Sequence, residues 1–217
     1  MLKVEFHCHT WFSSDSRIAP AALVVNARKK GIDRLVVTDH NTILGAKAAQ
    51  VLDPEMVIIG EEVLTQRGEL LAAFVQEEVP PHLPPLEAVK RLKQQGAFIS
   101  VSHPFDWQRS GWSKAELLDL LPHLDAIEVF NSRSLHRGVN EHAARFAREY
   151  GAAGTVGSDA HLLWEVGRST MTMPEFSSAD ELREAIRVSM IQAELSPLWV
   201  HFGSTFARLI NGIVGGK

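Results

Sequence analysis

The sequence predicts an α/β fold in which parallel strands close into a barrel. Short apolar runs alternate with helical patterns along most of the 217 residues, which is typical of a parallel sheet rather than a sandwich. Histidines and acidic residues follow most of the predicted strands, and in a parallel barrel these strand ends share one face. The chain is 45% hydrophobic and 22% charged, an ordinary balance that excludes a disordered protein.

The first half of the chain is predicted to alternate strands with helices. Pro20 stands where the first turn of a helix tolerates proline, and Gly31 ends the same helix. Gly68 lies inside an apolar stretch that reads as a hairpin. The predicted order is strand 4–6, helix 21–30, strand 34–38, helix 42–51, strand 56–59, hairpin 64–75, helix 85–95 and strand 98–101.

The second half continues this pattern and contains two capping boxes. Ser113 with Glu116, and Ser178 with Glu181, have the spacing that caps the first turn of a helix. The predicted order is a helix from 113, strand 126–130, helix 140–150, strand 153–156, helix 178–188 and a last helix from Ser204. Since no repeat or linker divides the chain, we expect one domain at 1–195 and a small docked segment at 196–217.

Charge and cysteine content narrow the classes of function. Lys and Arg number 22 against 26 Asp and Glu, and the net charge of −4 disfavours stable binding of duplex DNA. No apolar run approaches the ~20 residues that span a bilayer, and the first residues do not resemble a signal peptide. Cys8 is the one cysteine, so no internal disulfide forms. We expect a cytoplasmic protein without membrane association, and the sequence carries no signal for its oligomeric state.

The ten histidines are unusual, and their placement predicts a metal centre. His7 and His9 lie two residues apart at a strand end, so both imidazoles face one side while Cys8 faces the other. Further candidate ligands at matching strand ends are His40, Glu62, His103, Asp159 and His161. Mixed imidazole and carboxylate ligands suit Zn²⁺, Mn²⁺ or Fe²⁺, with Mg²⁺ as a further candidate. The ligands exceed what one ion needs, so we expect two or three divalent ions.

Motifs in a fixed order carry a resemblance to a known family. The sequence reads HCHT at 7–10 with SSDS at 13–16, VTDHN at 37–41, IGEE at 59–62, SHP at 102–104 and GSDAH at 157–161. Together these motifs resemble the PHP (polymerase and histidinol phosphatase) family of metal-dependent phosphoesterases, and residues 200–205 resemble the C-terminal segment of a stand-alone bacterial subgroup. The resemblance implies a distorted (β/α)7 barrel with a small C-terminal helical appendage and a centre of two or three metal ions.

The resemblance also assigns the metal ligands. They are His7, His9, Asp15, His40, Glu62, Glu69, His103, Asp159 and His161. Glu69 stands where many members carry histidine, so it either bridges two ions or marks a weak or lost metal position. The column of Asp15 also admits Ser14, which binds metal less well.

Three further acidic or amide residues fall near the motifs. Glu128 and Asn131 lie around another ligand column of the family, and Glu128 is alternatively a structural residue of its strand. Glu61 precedes the family's glutamate by one position. We therefore expect Glu61 to lie beside the centre or to point away from it.

The activity implied by the resemblance is hydrolysis of a phosphate ester by a metal-activated water. The candidate catalytic residues are Asp159, His161 and His103. Arginine binds phosphate with two parallel hydrogen bonds, and the candidates near the expected active face are Arg17, Arg109, Arg133 and Arg168. The expected substrate is a nucleotide, a short single-stranded oligonucleotide or a small phosphomonoester. A nucleobase has three candidate stacking partners, Trp107, Trp112 and Trp164.

Two alternative functions remain open at the level of the sequence. A metal-dependent amide or carbonyl hydrolase of amidohydrolase type shares the His-x-His pattern, but often uses a carbamylated lysine, and no lysine stands at a predicted strand end. A catalytically degenerate metal-binding module would keep the fold without the chemistry, and Glu69 would then be a sign of that loss.

Overall fold

One mixed sheet organises the residues that the computed structural model describes, 1–109 and 111–200. Its strands are β1 (Leu2–Cys8), β2 (Arg34–Val37), β3 (Val57–Leu64), β4 (Glu69–Ala73), β5 (Phe98–Val101), β6 (Ala126–Asn131), β7 (Ala153–Gly157), β8 (Ser169–Met173) and β9 (Met190–Ala193). The helices are α1 (Pro20–Lys29), α2 (Leu44–Leu52), α3 (Pro85–Gln94), α4 (Lys114–Leu120), α5 (Arg137–Tyr150) and α6 (Ala179–Ala185). The strand order is β7-β6-β5-β4-β3-β2-β1-β8-β9, which confirms the predicted α/β class.

The sheet curls until β7 returns to β1. The first residues of β1 pair with β8, in the register Leu2 to Met173. Its last residues instead bridge to the segment that follows β7: the His9 N–H donates to the Ala160 carbonyl at 2.9 Å, and the Ala160 N–H donates to the His7 carbonyl at 3.3 Å. Strands β1 to β7 therefore form a nearly closed barrel, as the sequence predicts.

The predicted hairpin at 64–75 makes β4 antiparallel to both of its neighbours. Leu64 of β3 pairs with Glu69 of β4, and β4 in turn pairs antiparallel with β5. Thr65 closes the turn, because its N–H and its hydroxyl both donate to the Gly68 carbonyl, at 2.9 and 2.6 Å. The reversal brings the first residue of β4, rather than its last, to the barrel end where the parallel strands finish.

The hairpin of β8 and β9 is absent from the sequence-based prediction. Both strands are short: β8 (STMTM) alternates polar and apolar residues over only five positions, and β9 (MIQA) has four residues. Pairing with β1 buries β8, whereas β9 lies at the edge of the sheet. The β8–β9 hairpin therefore depends on pairing between β8 and β1 rather than on the strand propensity of its own residues.

The helix boundaries follow the predicted signals closely. Pro20 begins α1, and Gly31 beyond its end has φ of 68°, a left-handed conformation that favours glycine. Ser113 and Glu116 form a complete capping box at α4. At α6 only half of the predicted box forms: Ser178 Oγ accepts from the Glu181 N–H, while the Glu181 carboxylate accepts from the N–H of residue 177.

Residues 194–200, here called the C-terminal strap, lie against the loops that follow β6 and β7. The Ser196 N–H donates to the Ser132 carbonyl at 2.7 Å, and the rings of Trp164 and Trp199 lie 4.9 Å apart. The predicted helix from Ser204 falls in 201–217, outside the described residues, and the domain boundary at 195 stays a prediction. Across the described part of the chain, no helix combines the length and apolarity needed to cross a membrane.

Candidate metal centre

The strand ends bring the predicted metal ligands together at one end of the barrel. Their nitrogen and oxygen atoms form a chain of contacts of 3.0 to 3.7 Å. The residues of this chain are His7, His9, Asp15, His40, Glu62, Glu69, His103, Asp159 and His161. The side chains of His40 and Glu69 are 25% and 13% exposed, and the others are buried. The cluster is therefore shielded from water but open at one side.

His7 and His9 at the end of β1 point their Nε2 atoms at each other. The Nδ1 of His7 lies 2.9 Å from a Glu128 carboxylate oxygen, which can only accept, so Nδ1 carries the proton. The Nδ1 of His9 donates to Ser13 Oγ, because that hydroxyl already donates to Asp39. In these neutral tautomers both Nε2 atoms present lone pairs, only 3.1 Å apart, so a cation between them, either a proton on His7 or a metal ion, relieves their repulsion.

Glu62 on β3 occupies the middle of the cluster. Its Oε2 lies 3.0 to 3.4 Å from one ring nitrogen each of His7, His9 and His40. Its Oε1 lies 3.4 Å from His103 Nε2 and accepts from Ser102 Oγ at 2.6 Å. This one carboxylate therefore faces four of the candidate histidine ligands.

Asp159 and His161, after β7, complete the far side of the cluster. The Asp159 Oδ1 lies 3.6 and 3.3 Å from the Nε2 atoms of His7 and His9. The Nδ1 of His161 donates to the Asp159 carbonyl at 2.8 Å, which leaves its Nε2 lone pair facing Asp15 Oδ1 at 3.2 Å. The same Asp15 carboxylate reaches His40 Nε2 at 3.4 Å, so it links two imidazoles.

Glu69 joins the cluster because β4 is antiparallel. Its carboxylate lies 3.3 Å from His103 Nε2 and 3.7 Å from His40 Nδ1. Its backbone carbonyl accepts from Trp112 Nε1 at 3.3 Å, so a buried side chain holds the turn in place. The carboxylate therefore lies within reach of any ion that these two histidines would hold.

The donor set fits divalent metal ions. Three groups have donor atoms within 4.8 Å of one another: His9 with His40 and His161, His7 with His9 and Asp159, and His40 with Glu62 and Glu69. Neutral imidazole nitrogens and carboxylate oxygens are the ligands of Zn²⁺, Mn²⁺ and Fe²⁺ sites. Inward lone pairs whose opposite ring nitrogens are already hydrogen-bonded are typical of histidine ligands.

The cluster electrostatics favour positive charge among these side chains. Burial lowers the pKa of His7, but the carboxylates of Glu62, Asp159 and Glu128 outweigh it and hold that pKa well above its ordinary value. Burial, with His161 and His40, lowers the pKa of His9 to about 4, so this ring is neutral. A neutral imidazole surrounded by carboxylates is the protonation state that a metal ligand requires.

Two predicted ligands sit on strained backbone. His103 and Asp159 have φ of 24° and 51°, in the left-handed region that non-glycine residues rarely occupy. Such strain typically costs about 1–3 kcal/mol and persists where surrounding structure enforces it, commonly at functional sites. Each residue lies two positions beyond the last residue of a strand, β5 for His103 and β7 for Asp159, and the turn aims its side chain inward.

Buried residues outside the predicted ligand set support the ligands from behind. Asp39 accepts from the N–H and hydroxyl of Thr10 and from Ser13 Oγ, at 2.6 to 2.7 Å, and so fixes the loop after β1. Glu128 accepts from His7 Nδ1, from the His103 N–H at 2.8 Å and from the Asn131 amide at 3.0 Å. The Asn131 amide also donates to Asp159 at 3.2 Å. Glu128 and Asn131 thus orient ligands in this structure.

Glu61 points away from the centre, one of the two outcomes expected for the first glutamate of its motif. Its Oε2 accepts from the Val79 N–H at 3.1 Å, away from the histidines. Burial, its largest influence, raises the pKa of this carboxyl to about 7. Cys8 likewise packs among apolar side chains of α1 and β2, consistent with its predicted direction.

The four predicted phosphate-binding arginines differ in their surroundings. Arg109 contacts the Asp159 carboxylate through Nη1, and its Nη2 donates to Asn131 Oδ1 at 3.3 Å. Arg17 is exposed. Arg133 is buried against Glu165, and Arg168 donates to the Leu195 carbonyl of the C-terminal strap at 2.7 Å. Among these arginines of the described chain, Arg109 is the one in contact with a predicted ligand.

The three tryptophans predicted to stack on a nucleobase also differ in their burial and contacts. Trp112 is buried against the turn that carries Glu69, and Trp164 packs against Trp199 of the C-terminal strap with the two rings tilted by 32°. Trp107 is 75% exposed, in the loop that follows β5.

The fold and the cluster together place this protein among α/β barrels that carry a candidate metal centre at the ends of their strands. Comparison with family models then identifies the family: residues 5–95 match the PHP domain, and residues 137–189 match a PHP-associated segment. The chain is also 34% identical over 180 residues to the uncharacterized protein MJ0417 of Methanocaldococcus jannaschii, covering 81% of this chain and 72% of that protein. The chain belongs to the PHP family.

Solved structures with the same fold include two of larger proteins. A two-domain protein of Bacteroides vulgatus, described as containing a predicted PHP-like metal-dependent phosphoesterase, matches with a TM-score of 0.72 at 20% identity, over 89% of this chain and 65% of that one. The lesion-specific endonuclease PfuEndoQ of Pyrococcus furiosus matches with a TM-score of 0.63 at 16% identity, over 88% and 57%. The chain spans less than two thirds of either protein, so the likeness concerns the barrel.

Proposed function

We propose that this protein is a metal-dependent phosphoesterase, which hydrolyses a phosphate ester at a centre of two or three divalent ions. The observation that carries the proposal is the convergence of inward-facing imidazole lone pairs and carboxylates around Glu62, with the Arg109 guanidinium at the edge of the cluster. Membership of the PHP family supports the same class of activity.

The imidazoles and carboxylates of the cluster would hold the ions, with Glu62 at its middle. Zn²⁺, Mn²⁺ and Fe²⁺ suit this donor set, and Mg²⁺ is a further candidate. Such ions, when bound, lower the pKa of a coordinated water and polarise phosphoryl oxygens. Burial of the ligands keeps them in fixed orientations before substrate arrives.

Residues of the chain orient the phosphate and handle protons. Arg109 is held on three sides, by Asp106, Asp159 and Asn131, so its guanidinium is preorganised to stabilise charge on the phosphoryl oxygens. The exposed Arg17 is a second candidate for binding phosphate. Asp159, His161 and His103 are the candidates for proton transfer to the leaving oxygen.

The proposed substrate is a nucleotide, a short single-stranded oligonucleotide or a small phosphomonoester. Two exposed tryptophans follow ligand-bearing strands, Trp11 after His9 and Trp107 after His103, and each offers a ring on which a base can stack. The Pyrococcus neighbour, named as a lesion-specific endonuclease, has the same barrel in a nucleic-acid enzyme. The net charge of −4 disfavours tight binding of long duplex. The cytoplasmic location stays a prediction.

An activity screen of the metal-loaded protein tests this function. Mn²⁺- and Zn²⁺-loaded samples would be given an aryl phosphate, a nucleoside 3′,5′-bisphosphate, a short RNA and a panel of amides. Release of phosphate or of nucleotides supports the proposal. Amide hydrolysis without phosphate release contradicts it in favour of amidohydrolase chemistry, and metal binding without any turnover indicates a degenerate module.

Replacing Glu69 tests whether its carboxylate is a ligand. We expect Glu69→Ala to weaken binding of one metal ion by about tenfold or more, because a coordinating oxygen is lost. Glu69→His should retain binding but move the preferred ion from Mn²⁺ towards Zn²⁺, since imidazole is the softer ligand. Titration of each variant with Mn²⁺ and Zn²⁺ in a calorimeter measures both effects.

The matched control for this prediction is Glu87→Ala. Glu87 pairs with Arg91 on the exposed face of α3, and its loss should leave metal binding unchanged. If Glu69→Ala binds both ions as the parent does, Glu69 is a turn residue rather than a ligand.

A further inference from the structure

Arg133 and Glu165 form a buried ion pair next to the candidate metal centre. The Arg133 Nε lies 3.4 Å from Glu165 Oε1, and the two side chains are 4% and 0% exposed. Neither residue belongs to the ligand cluster. A buried pair of this kind contributes little net stability, because desolvation of the two charges offsets their attraction. The role of this pair is therefore better judged from the backbone groups that it holds in place.

Glu165 holds the backbone of a predicted metal ligand. Its Oε2 accepts from the N–H groups of His161 at 3.1 Å and Leu162 at 3.0 Å. The His161 ring donates Nδ1–H to the Asp159 carbonyl, which turns its Nε2 towards Asp15. The orientation of the imidazole thus depends on a turn that the Glu165 carboxylate closes.

Arg133 connects the same carboxylate to two other segments. Its Nη2 donates to the Val200 carbonyl of the C-terminal strap at 3.0 Å. Its backbone N–H donates to Asn131 Oδ1 at 2.9 Å, and Asn131 in turn contacts Asp159. The ion pair is therefore the junction of the loop after β6, the loop after β7 and the C-terminal strap.

We propose that Arg133 and Glu165 are positioning residues that hold His161 in its metal-binding orientation and connect it to the C-terminal strap. This inference rests on the proposed function in one respect, that His161 binds an ion. It gives Arg133 a role different from the phosphate binding predicted from the sequence, because its guanidinium is buried against Glu165 and Val200, whereas the side chain of Arg109 is 26% exposed. Groups that orient metal ligands typically change metal affinity by 10–100-fold when they are removed.

The test is a double variant, Arg133→Met with Glu165→Gln, which removes both charges and leaves neither buried without a partner. Titration with Co²⁺, followed by its visible absorption, reports both affinity and ligand geometry at the centre. We expect one Co²⁺ to bind about 10–100-fold more weakly, with an altered absorption band. If the double variant does not fold, Glu165→Gln alone serves as the second variant. Arg133→Lys keeps the positive charge and should retain part of the Co²⁺ affinity that the double variant loses.

The matched control is Arg183→Met with Asp125→Asn. Arg183 Nε lies 2.9 Å from Asp125 Oδ1, and Asp125 Oδ2 accepts from the Ile99 N–H at 2.8 Å, so this partly exposed pair also holds a backbone N–H but no predicted ligand. The control should keep the parent's Co²⁺ affinity and spectrum. Equal losses in both double variants, or parental affinity and spectrum in the Arg133 and Glu165 variants, would overturn the inference alone. A parent that binds no Co²⁺ contradicts the metal centre itself.

Discussion

Replacing Asp159 with asparagine is expected to lower phosphate ester hydrolysis by at least about a hundredfold while the fold stays intact. Loss of a group that merely orients a metal ligand costs 10–100-fold, and Asp159 is proposed to bind metal directly. Its carboxylate also contacts the Arg109 guanidinium, so the neutral side chain loses both interactions. The measurement is kcat/KM at saturating Mn²⁺, with circular dichroism to verify folding.

A surface aspartate provides the control for this prediction. Asp53 pairs with Arg28 at the end of α2, and this ion pair includes no residue of the cluster. Asp53→Asn should therefore leave the rate unchanged. His103→Ala should behave as Asp159→Asn does, because its Nε2 faces both Glu62 and Glu69. Near-parental turnover in a folded Asp159→Asn protein would remove that residue from the metal centre.

Adding one methyl group at Gly157 is expected to damage the centre as well. A Cβ at this position would lie 2.4 Å from the Cβ of His7 and 2.5 Å from Glu128 Oε1, so the imidazole or its partner has to move. Overpacking of this kind costs about 1–3 kcal/mol, a fall in melting temperature of roughly 2–12 °C. Since His7 is displaced, Gly157→Ala should also lose metal affinity, which calorimetric titration measures.

Gly138→Ala is the matched control for the added methyl group. Gly138 lies in α5 with nothing within 4 Å of an ideal Cβ, so the substitution should leave metal binding unchanged and preserve or raise the melting temperature. A Gly157→Ala protein with the parent's melting temperature and metal affinity would show that the close approach to His7 is relaxed without cost.

Much of the fold follows from local signals in the sequence. Pro20, Gly31 and the capping box at Ser113 each act within a few residues, and the structure confirms the helices that they begin or end. The β8–β9 hairpin depends instead on pairing between β8 and β1, about 170 residues apart in sequence, which no local pattern reports. The antiparallel direction of β4 follows from the predicted hairpin, but its consequence, that Glu69 reaches the cluster, requires the three-dimensional arrangement.

In the candidate site, too, some residues are indicated by the sequence, and others have a role that only the structure shows. His7 and His9 reveal themselves by their two-residue spacing at a strand end, and the structure brings them together with the other motif residues. The supporting roles of Glu128 and Glu165 leave no such signal, because each acts on a residue distant in the chain or on a backbone N–H. Arg133 illustrates the limit: its position after β6 indicates the active face, but only its contacts reveal its engagement with Glu165.

The central claim, a centre of several metal ions that receives a phosphate ester, is tested most directly by a crystal structure grown with Mn²⁺ and phosphate. Anomalous difference density should show two or three ions per chain within the cluster, each about 2.0–2.2 Å from imidazole nitrogens or carboxylate oxygens. Glu62 should contact two of the ions, and a phosphate should span them beside Arg109. A single ion, or none, within this cluster despite excess Mn²⁺ would contradict the account.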